Sequence, residues 1–268
     1  MQAEFSQARE VAAVLSQNPR KYINRLMIGV QLYAVNCEMG RASLAFYSTL
    51  KRIDDSLDGD RFDIENPLEY ANDIAVQVLE GRLSTDNLKL ANAFSFVERR
   101  IRDGDNPRKD FVSSVNAMIF DHQRSQERRV LTKDELQEYY SNSFTPVINI
   151  LLIGINSNLR ARDIPEFAMA QGRIYSIRDI VDDWTKGIIN IPTEILSLAN
   201  LSAQSDIEKV MLSETIASYF ESELTKGKIE IARLEQKIEA QGEPVSSRVF
   251  KLLLKPMKKY IRRHSQKQ

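Results

Sequence analysis

The sequence predicts an all-α fold, and three observations carry that expectation. Glycine and proline are scarce, 10 and 8 in 268 residues, so few breaks interrupt the long segments between them. Those segments repeat their apolar residues at the helical spacing of i, i+3, i+4 and i+7. No run alternates with a period of two, and no hairpin turn separates two β-branched runs.

In chain order, a break at Asn18-Pro19 closes a polar opening segment, Met1 to Arg20. Phe46, Leu50, Ile53 and Leu57 then form one helical stripe, ended by the turn residues from Gly59-Asp60 to Pro67. Further breaks fall at Gly104 to Pro107, Asn156 to Pro165, Gly187 to Pro192 and Gly242 to Pro244. Ile177, Val181 and Trp184 make a second stripe, and Leu224, Ile229, Ile231, Leu234 and Ile238 mark a late Lys/Glu-rich helix. Pro146 lies inside an apolar helical pattern, after Tyr139-Tyr140-Ser141-Asn142-Ser143-Phe144-Thr145, where it removes a hydrogen bond and kinks the helix. No repeat or long linker divides the chain. The expectation is a single domain over residues 1–268, a bundle of roughly eight to ten helices whose centre can hold a ligand.

Composition narrows the function. Lys+Arg and Asp+Glu both number 37, so no global basic field points to nucleic acid. Cys37 is the only cysteine, which excludes an internal disulfide and reads as a small buried residue in a reducing compartment. The opening segment lacks the apolar core of a signal peptide, and the apolar stretch Val147 to Ile155 is too short to span a bilayer. A soluble cytoplasmic protein is expected. The basic tail, Lys251 to Lys267, alternates with Leu252 to Leu254 and Tyr260; it reads as an amphipathic closing helix that could also touch a membrane surface.

Two acidic runs carry the chemistry: Asp54-Asp55-Ser56-Leu57-Asp58 and Arg178-Asp179-Ile180-Val181-Asp182-Asp183. Each sets carboxylates one helical turn apart, where like charges repel and a cation relieves the repulsion. Two such ridges facing each other would supply the oxygen ligands that Mg²⁺ prefers, with phosphate oxygens completing the shell. Tyr47, Lys51, Asp54 and Asp58 share one face, as do Tyr175, Asp179 and Asp183 with Arg178 adjacent. Interleaved Lys51 and Arg178 suit a diphosphate, because they neutralise oxygens the metal does not reach. The chain has two histidines, His122 and His264, neither in a Glu-x-x-His pair, so a di-iron bundle fits poorly. No phosphate-binding glycine loop or nucleophile elbow is present.

At these residues the chain resembles the squalene/phytoene synthase family, class I isoprenoid synthases. Phe46-Tyr47-Ser48-Thr49-Leu50-Lys51-Arg52-Ile53 and the first acidic run are similar to that family's Tyr-x-x-x-Arg-x-x-Asp-Asp-x-x-Asp signature, with Lys51 in place of Arg. Arg178 to Pro192 is similar to its second signature, with Asp182 for Glu, Ile188 for Arg and Asn190 for Tyr. Between them, Met118 to Asp121 and Arg129 to Tyr139 resemble the Met-x-x-Asp and Arg-Tyr-x-x-x-x-Glu-Leu-x-x-Tyr stretches. The N-terminal Ser-x-Ser-Phe motif has no counterpart in Asn24 to Tyr33, and Tyr175 stands where Asn is usual. The Val-Ala-Gly-x-Val-Gly stretch reads Ser143-Phe144-Thr145-Pro146-Val147-Ile148, with larger residues in place of the glycines.

The resemblance implies a helical bundle with a central cavity and ionisation of an allylic prenyl diphosphate by Mg²⁺, three ions together with the diphosphate. It implies Asp54, Asp55, Asp58, Asp179, Asp182 and Asp183 as the metal set, with Arg178 pairing with the diphosphate. Tyr47, Lys51, Tyr139, Phe144, Ile148 and Tyr175 are expected to contact substrate. Head-to-head condensation of two prenyl diphosphates stands first. Cyclisation of a single smaller substrate is the alternative that the lost glycines favour, and a non-catalytic assembly factor is a third reading. The sequence leaves any NADPH requirement open.

Overall fold

The computed structural model describes residues 32–33, 36–61 and 63–265; the predicted break at Asn18-Pro19 lies outside them. Eleven α-helices occur among the described residues: α1 (Cys37–Leu57), α2 (Pro67–Glu80), α3 (Leu88–Glu98), α4 (Pro107–Glu127), α5 (Lys133–Gly154), α6 (Pro165–Arg178), α7 (Ile180–Thr185), α8 (Thr193–Leu198), α9 (Ile207–Leu212), α10 (Glu214–Gln241) and α11 (Pro244–Ser265). The count exceeds the expected eight to ten because α7, α8 and α9 have six residues each, too short to leave a periodic pattern. The one β pairing among the described residues is an isolated parallel bridge, Val130 to Ile189.

Local chemistry sets the helix starts. Asn66 and Asn106 cap α2 and α4 with their side chains, accepting from Glu69 and Lys109 backbone N–H, and each is followed by a proline whose missing N–H costs nothing there. Thr132 and Glu135 cap α5 reciprocally. That helix runs unbroken through Pro146 to Gly154. Cys37, expected to be buried, is exposed because it opens α1 at the surface.

Two apolar cores form. One joins α1 to α4, where Phe46, Phe94 and Phe111 meet at ring centroid distances of 5.0, 5.6 and 6.2 Å. The other joins α5, α6, α10 and α11. Helix α5 serves both, with Ile150 and Ile153 in the first and Ile148 and Leu152 in the second. Across the second core, the buried Arg173 of α6 pairs with Glu223 and with Glu230 of α10, the latter at 3.1 Å. Ile177 and Trp184 of the predicted stripe are buried there, whereas Val181 and Ile229 are about half exposed, 48% and 47%. Val181 falls on the outer side of the separate short helix α7.

The segment after α7 is tied to the end of α4. Gly187 has φ +85°, and a Cβ there would overlap the Ser125 carbonyl oxygen of α4. Beyond it come the Val130–Ile189 bridge and a 2.9 Å bond donated by the Thr193 amide to the Leu131 carbonyl. Only glycine satisfies both the backbone angle and the approach. Gly187→Ala should therefore lower stability by at least ~2 kcal/mol, whereas Gly242→Ala, at φ +67° with open space around it, should lose about 1 kcal/mol. Equal denaturation midpoints for the two variants would show that contact with α4 is not what selects glycine at 187.

Candidate active site

The first acidic run ends α1. Lys51 is buried, 6% exposed, and its ammonium donates to Asp54 at 2.8 Å and pairs with Asp55. Burial opposes that charge, but the charges and hydrogen bonds of Asp54 and Asp55 outweigh it, so Lys51 titrates well above the ordinary lysine range. Asp55 is 4% exposed. Burial raises its carboxyl, Lys51 pulls it back, and Asp54 and Asp60 add to the rise. The Asp54 and Asp58 side chains are partly exposed, and half-buried Tyr47 lies one turn before Lys51 on the same helical face. Asp58 caps α1 and accepts from Lys186 at 2.9 Å; Lys186 also reaches Asp60 at 3.3 Å. Since Lys186 follows α7, this ion pair joins the two acidic runs directly.

The second run straddles a helix break. α6 ends at Arg178, and Asp179, with φ −99° and ψ 7°, separates it from α7. The hydrogen-bond ladder carries through: Asp179 N–H donates to Tyr175 and Asp183 N–H to Asp179, both at 2.9 Å. Tyr175, Asp179 and Asp183 thus stay one turn apart, as expected. Arg178 grips Asp179 with two hydrogen bonds of 2.8 and 2.5 Å and lies over the Tyr175 ring at 3.9 Å. Asp182 is exposed.

Helix α4 connects the runs through residues that the motifs did not assign a role. Arg124 is 1% exposed. Its guanidinium donates to Asp121 at 2.6 Å, to Asn190 Oδ1 at 2.7 Å and to the Ile189 carbonyl at 3.4 Å. Asn190 in turn donates to Asp183 at 3.1 Å, and the Tyr139 hydroxyl donates to Asp121 at 2.6 Å. On the other side of α4, the His122 Nδ1 lies 2.8 Å from the Leu57 carbonyl at the end of α1. Burial raises the Asp121 carboxyl; Arg124 and Tyr139 oppose the rise and Asp54 contributes to it, which places Asp121 within electrostatic reach of the first run. Burial, then the Asp121 charge, lifts the Tyr139 hydroxyl well above its usual range, so it stays protonated.

A cavity of about 530 Å³ opens between α4 and α5. Ala117, Phe120, Leu131 and Tyr139 give it apolar walls, and Asn116, Arg129, Glu135, Glu138 and Asn142 add polar ones. Tyr139 is the one member of the predicted set that lines it. Phe144 packs against the small cluster of Leu131, Leu136 and Tyr140, and Ile148 is a core residue at 3% exposure. The six aspartates are not among the residues that line it, and Asp121 adjoins it through Tyr139.

A family model described as squalene/phytoene synthase matches residues 33–255. The chain belongs to that family. No curated protein is significantly similar to it in sequence. In this squalene/phytoene synthase family member the second signature departs from pattern at Asn190, the residue that passes the Arg124 contact on to Asp183. Asp121 and Arg124 could have been paired from their i, i+3 spacing, and Lys186 noticed three residues after Asp183. The bond from Arg124 to Asn190 leaves no trace in the sequence, because 66 residues separate them.

An all-carboxylate donor set suits Mg²⁺ in kind. Among the described residues no three acidic, His or Cys side chains converge on one point, and four of the carboxylates hold protein cations instead.

Arg124→Met would leave the partly buried Asp121 carboxylate without its cation and should lower stability by about 3 kcal/mol. Adding Asp121→Asn to that variant should recover much of the loss, and a denaturation double-mutant cycle that finds the two losses additive would disprove the coupling.

Asp58 carries a pH prediction. Burial, then the Asp54 charge, raises its carboxyl above the ordinary range, with Lys186 opposing. A raised acid binds its proton more tightly in the folded state, so stability falls as pH rises from the ordinary carboxylate range through the raised value. Asp58→Asn is neutral throughout and should match or exceed the wild-type Tm at neutral pH. That difference should narrow as the pH falls through the raised value into the ordinary carboxylate range, where the folded wild type takes up its proton. Lys186 keeps Asp60 as a partner in the variant. A Tm difference that does not change with pH would mean the Asp58 charge is not its source.

Proposed function

We propose that this protein ionises an allylic prenyl diphosphate with Mg²⁺ and joins the resulting cation head to head with a second prenyl diphosphate. The observation that carries the reading is that the two acidic runs are tied together: Lys186, three residues past Asp183, pairs with Asp58, and the chain from Asp121 through Arg124 and Asn190 to Asp183 braces the second.

Asp54, Asp58, Asp179 and Asp183, with exposed Asp182 beside them, would hold the metal, while Asp55 anchors Lys51 inside the protein. Bound Mg²⁺ supplies Lewis acidity toward the leaving diphosphate and a template for it. Lys51, Arg178 and Lys186 are already ion-paired to the ridges, and an incoming diphosphate is a stronger acceptor that can take their donors over. As the C–O bond breaks, the electron pair leaves with the diphosphate, where these cations neutralise the added charge. Tyr139 serves as a protonated wall residue rather than a base, because its proton is committed to Asp121.

Cyclisation of a single substrate is the second reading. It is favoured by Phe144 and Ile148, which fill space along α5 where the family pattern has a glycine-containing stretch.

Incubation with C10 to C20 prenyl diphosphates and Mg²⁺, followed by product mass, separates the readings: two joined chains mean condensation, one rearranged chain means cyclisation. Asp54→Asn and Asp179→Asn should each lower turnover at least about 100-fold, with Tm within a few degrees of wild type. Wild-type turnover in either variant at saturating Mg²⁺ removes that carboxylate from the site. Absence of Mg²⁺-dependent diphosphate binding would leave a non-catalytic family member.

A further inference from the structure

Helix α11 segregates charge more sharply than any other part of the chain. Its 22 residues hold seven of the 37 Lys and Arg and no Asp or Glu. Without those seven, 37 acids face 30 cations, so the rest of the protein is net acidic. Arg248, Lys251, Lys255, Lys259, Arg262 and Arg263 are all exposed. At their spacing of three or four residues the first five form one stripe along about four turns, roughly 20 Å of helix, with Arg263 beside its end.

Within the described residues none of these six has an ion-pair partner; the seventh cation, Lys258, points sideways to Glu235 of α10. Like charges one turn apart repel, so the stripe is unfavourable until an anionic surface meets it. The opposite face is spent: Val249, Phe250, Leu254 and Met257 are each at most 2% exposed in the cores. What remains to the outside is a line of charge without an apolar wedge.

Two contacts orient this stripe. Phe250 meets Phe167, near the start of α6, at a centroid distance of 5.8 Å. Ten residues on, Tyr260 lies within electrostatic reach of Asp179 and Arg178, at the far end of α6. α11 therefore runs alongside α6 in the same direction, and its most basic end lies beside the Arg178–Asp179 turn. The family match ends at residue 255, before Lys258, Lys259, Arg262 and Arg263.

We propose that the exposed stripe of α11 docks the protein on an anionic lipid surface by electrostatic adsorption, with the second acidic run held at the edge of the contact. Cations on one helical face can meet a planar surface together. A nucleic acid following the protein beyond the stripe would meet acidic surface, so lipid is the favoured polyanion. That docking also brings substrate to the site rests on the proposed function, since a prenyl diphosphate is an amphiphile that concentrates at lipid surfaces. Adsorption itself does not depend on that reading.

The test is co-sedimentation of the full chain with phosphatidylcholine vesicles, with and without about 30% phosphatidylglycerol, across ionic strength. Binding is expected to the anionic vesicles alone and to weaken steeply with salt. Each cation removed should weaken it roughly fivefold, so Lys255→Gln/Lys259→Gln should lose about 25-fold, and Lys255→Glu/Lys259→Glu more. Both variants should keep wild-type Tm and wild-type turnover of a short, water-soluble prenyl diphosphate. That turnover reads the proposed function separately from docking. Equal binding to neutral vesicles, undiminished binding by the Gln variant, or tighter binding to duplex DNA than to anionic vesicles at the same salt would each overturn the proposal.

Discussion

A guanidinium that is 1% exposed holds this architecture together. Burying Arg124 is tolerable only because each direction of its fork meets an acceptor: the Asp121 carboxylate, the Asn190 side chain and the Ile189 carbonyl. Those acceptors come from α4 itself and from the segment after α7, so satisfying one buried charge fixes how two distant parts of the chain meet. Around it the Tyr139 ring covers the guanidinium at 4.4 Å, and the Tyr139 hydroxyl takes the other Asp121 oxygen. Leaving any member unpaired would strand a charge in low dielectric, which makes the group an all-or-none unit.

The two apolar cores follow from this arrangement. Helices α5 and α11 pack into both cores, while α4 gives Phe111 and Val115 to the first and carries Arg124 in its last turn. Gly187 lets the segment after α7 approach the Ser125 carbonyl, so the polar unit and the backbone contact cooperate at the same turn. Specificity of this docking comes from polar groups and backbone shape, whereas the area buried in the cores supplies most of the driving force.

Charge compensation is the other theme of the site. Like carboxylates a turn apart would destabilise α1 and α7, and here Lys51, Lys186 and Arg178 relieve that repulsion from within the protein. In such an arrangement the folded chain does not need a bound ligand to be stable. Under the proposed function, the same cations would engage an incoming diphosphate by exchanging acceptors rather than by capture of a bare charge.

The helical class was legible from periodicity and scarce breaks, because a stripe such as Phe46, Leu50, Ile53 and Leu57 is a local pattern that dictates one face of one helix. The carboxylate ladders were legible for the same reason: spacing within a helix sets which side chains share a face, and it survived even the break at Asp179. The breaks that end at Pro67 and Pro107 fall where α2 and α4 begin. Six-residue helices and the exposure of Cys37 and Val181 were not legible, since each depends on what packs alongside. The tertiary structure alone decided that Asp55 turns inward to Lys51, that Phe144 and Ile148 serve the cores, and that Arg124 meets Asn190 across 66 residues. Local sequence encodes the order of residues along a helix face; which faces meet, and which buried charges find partners, is determined only when the whole chain is folded.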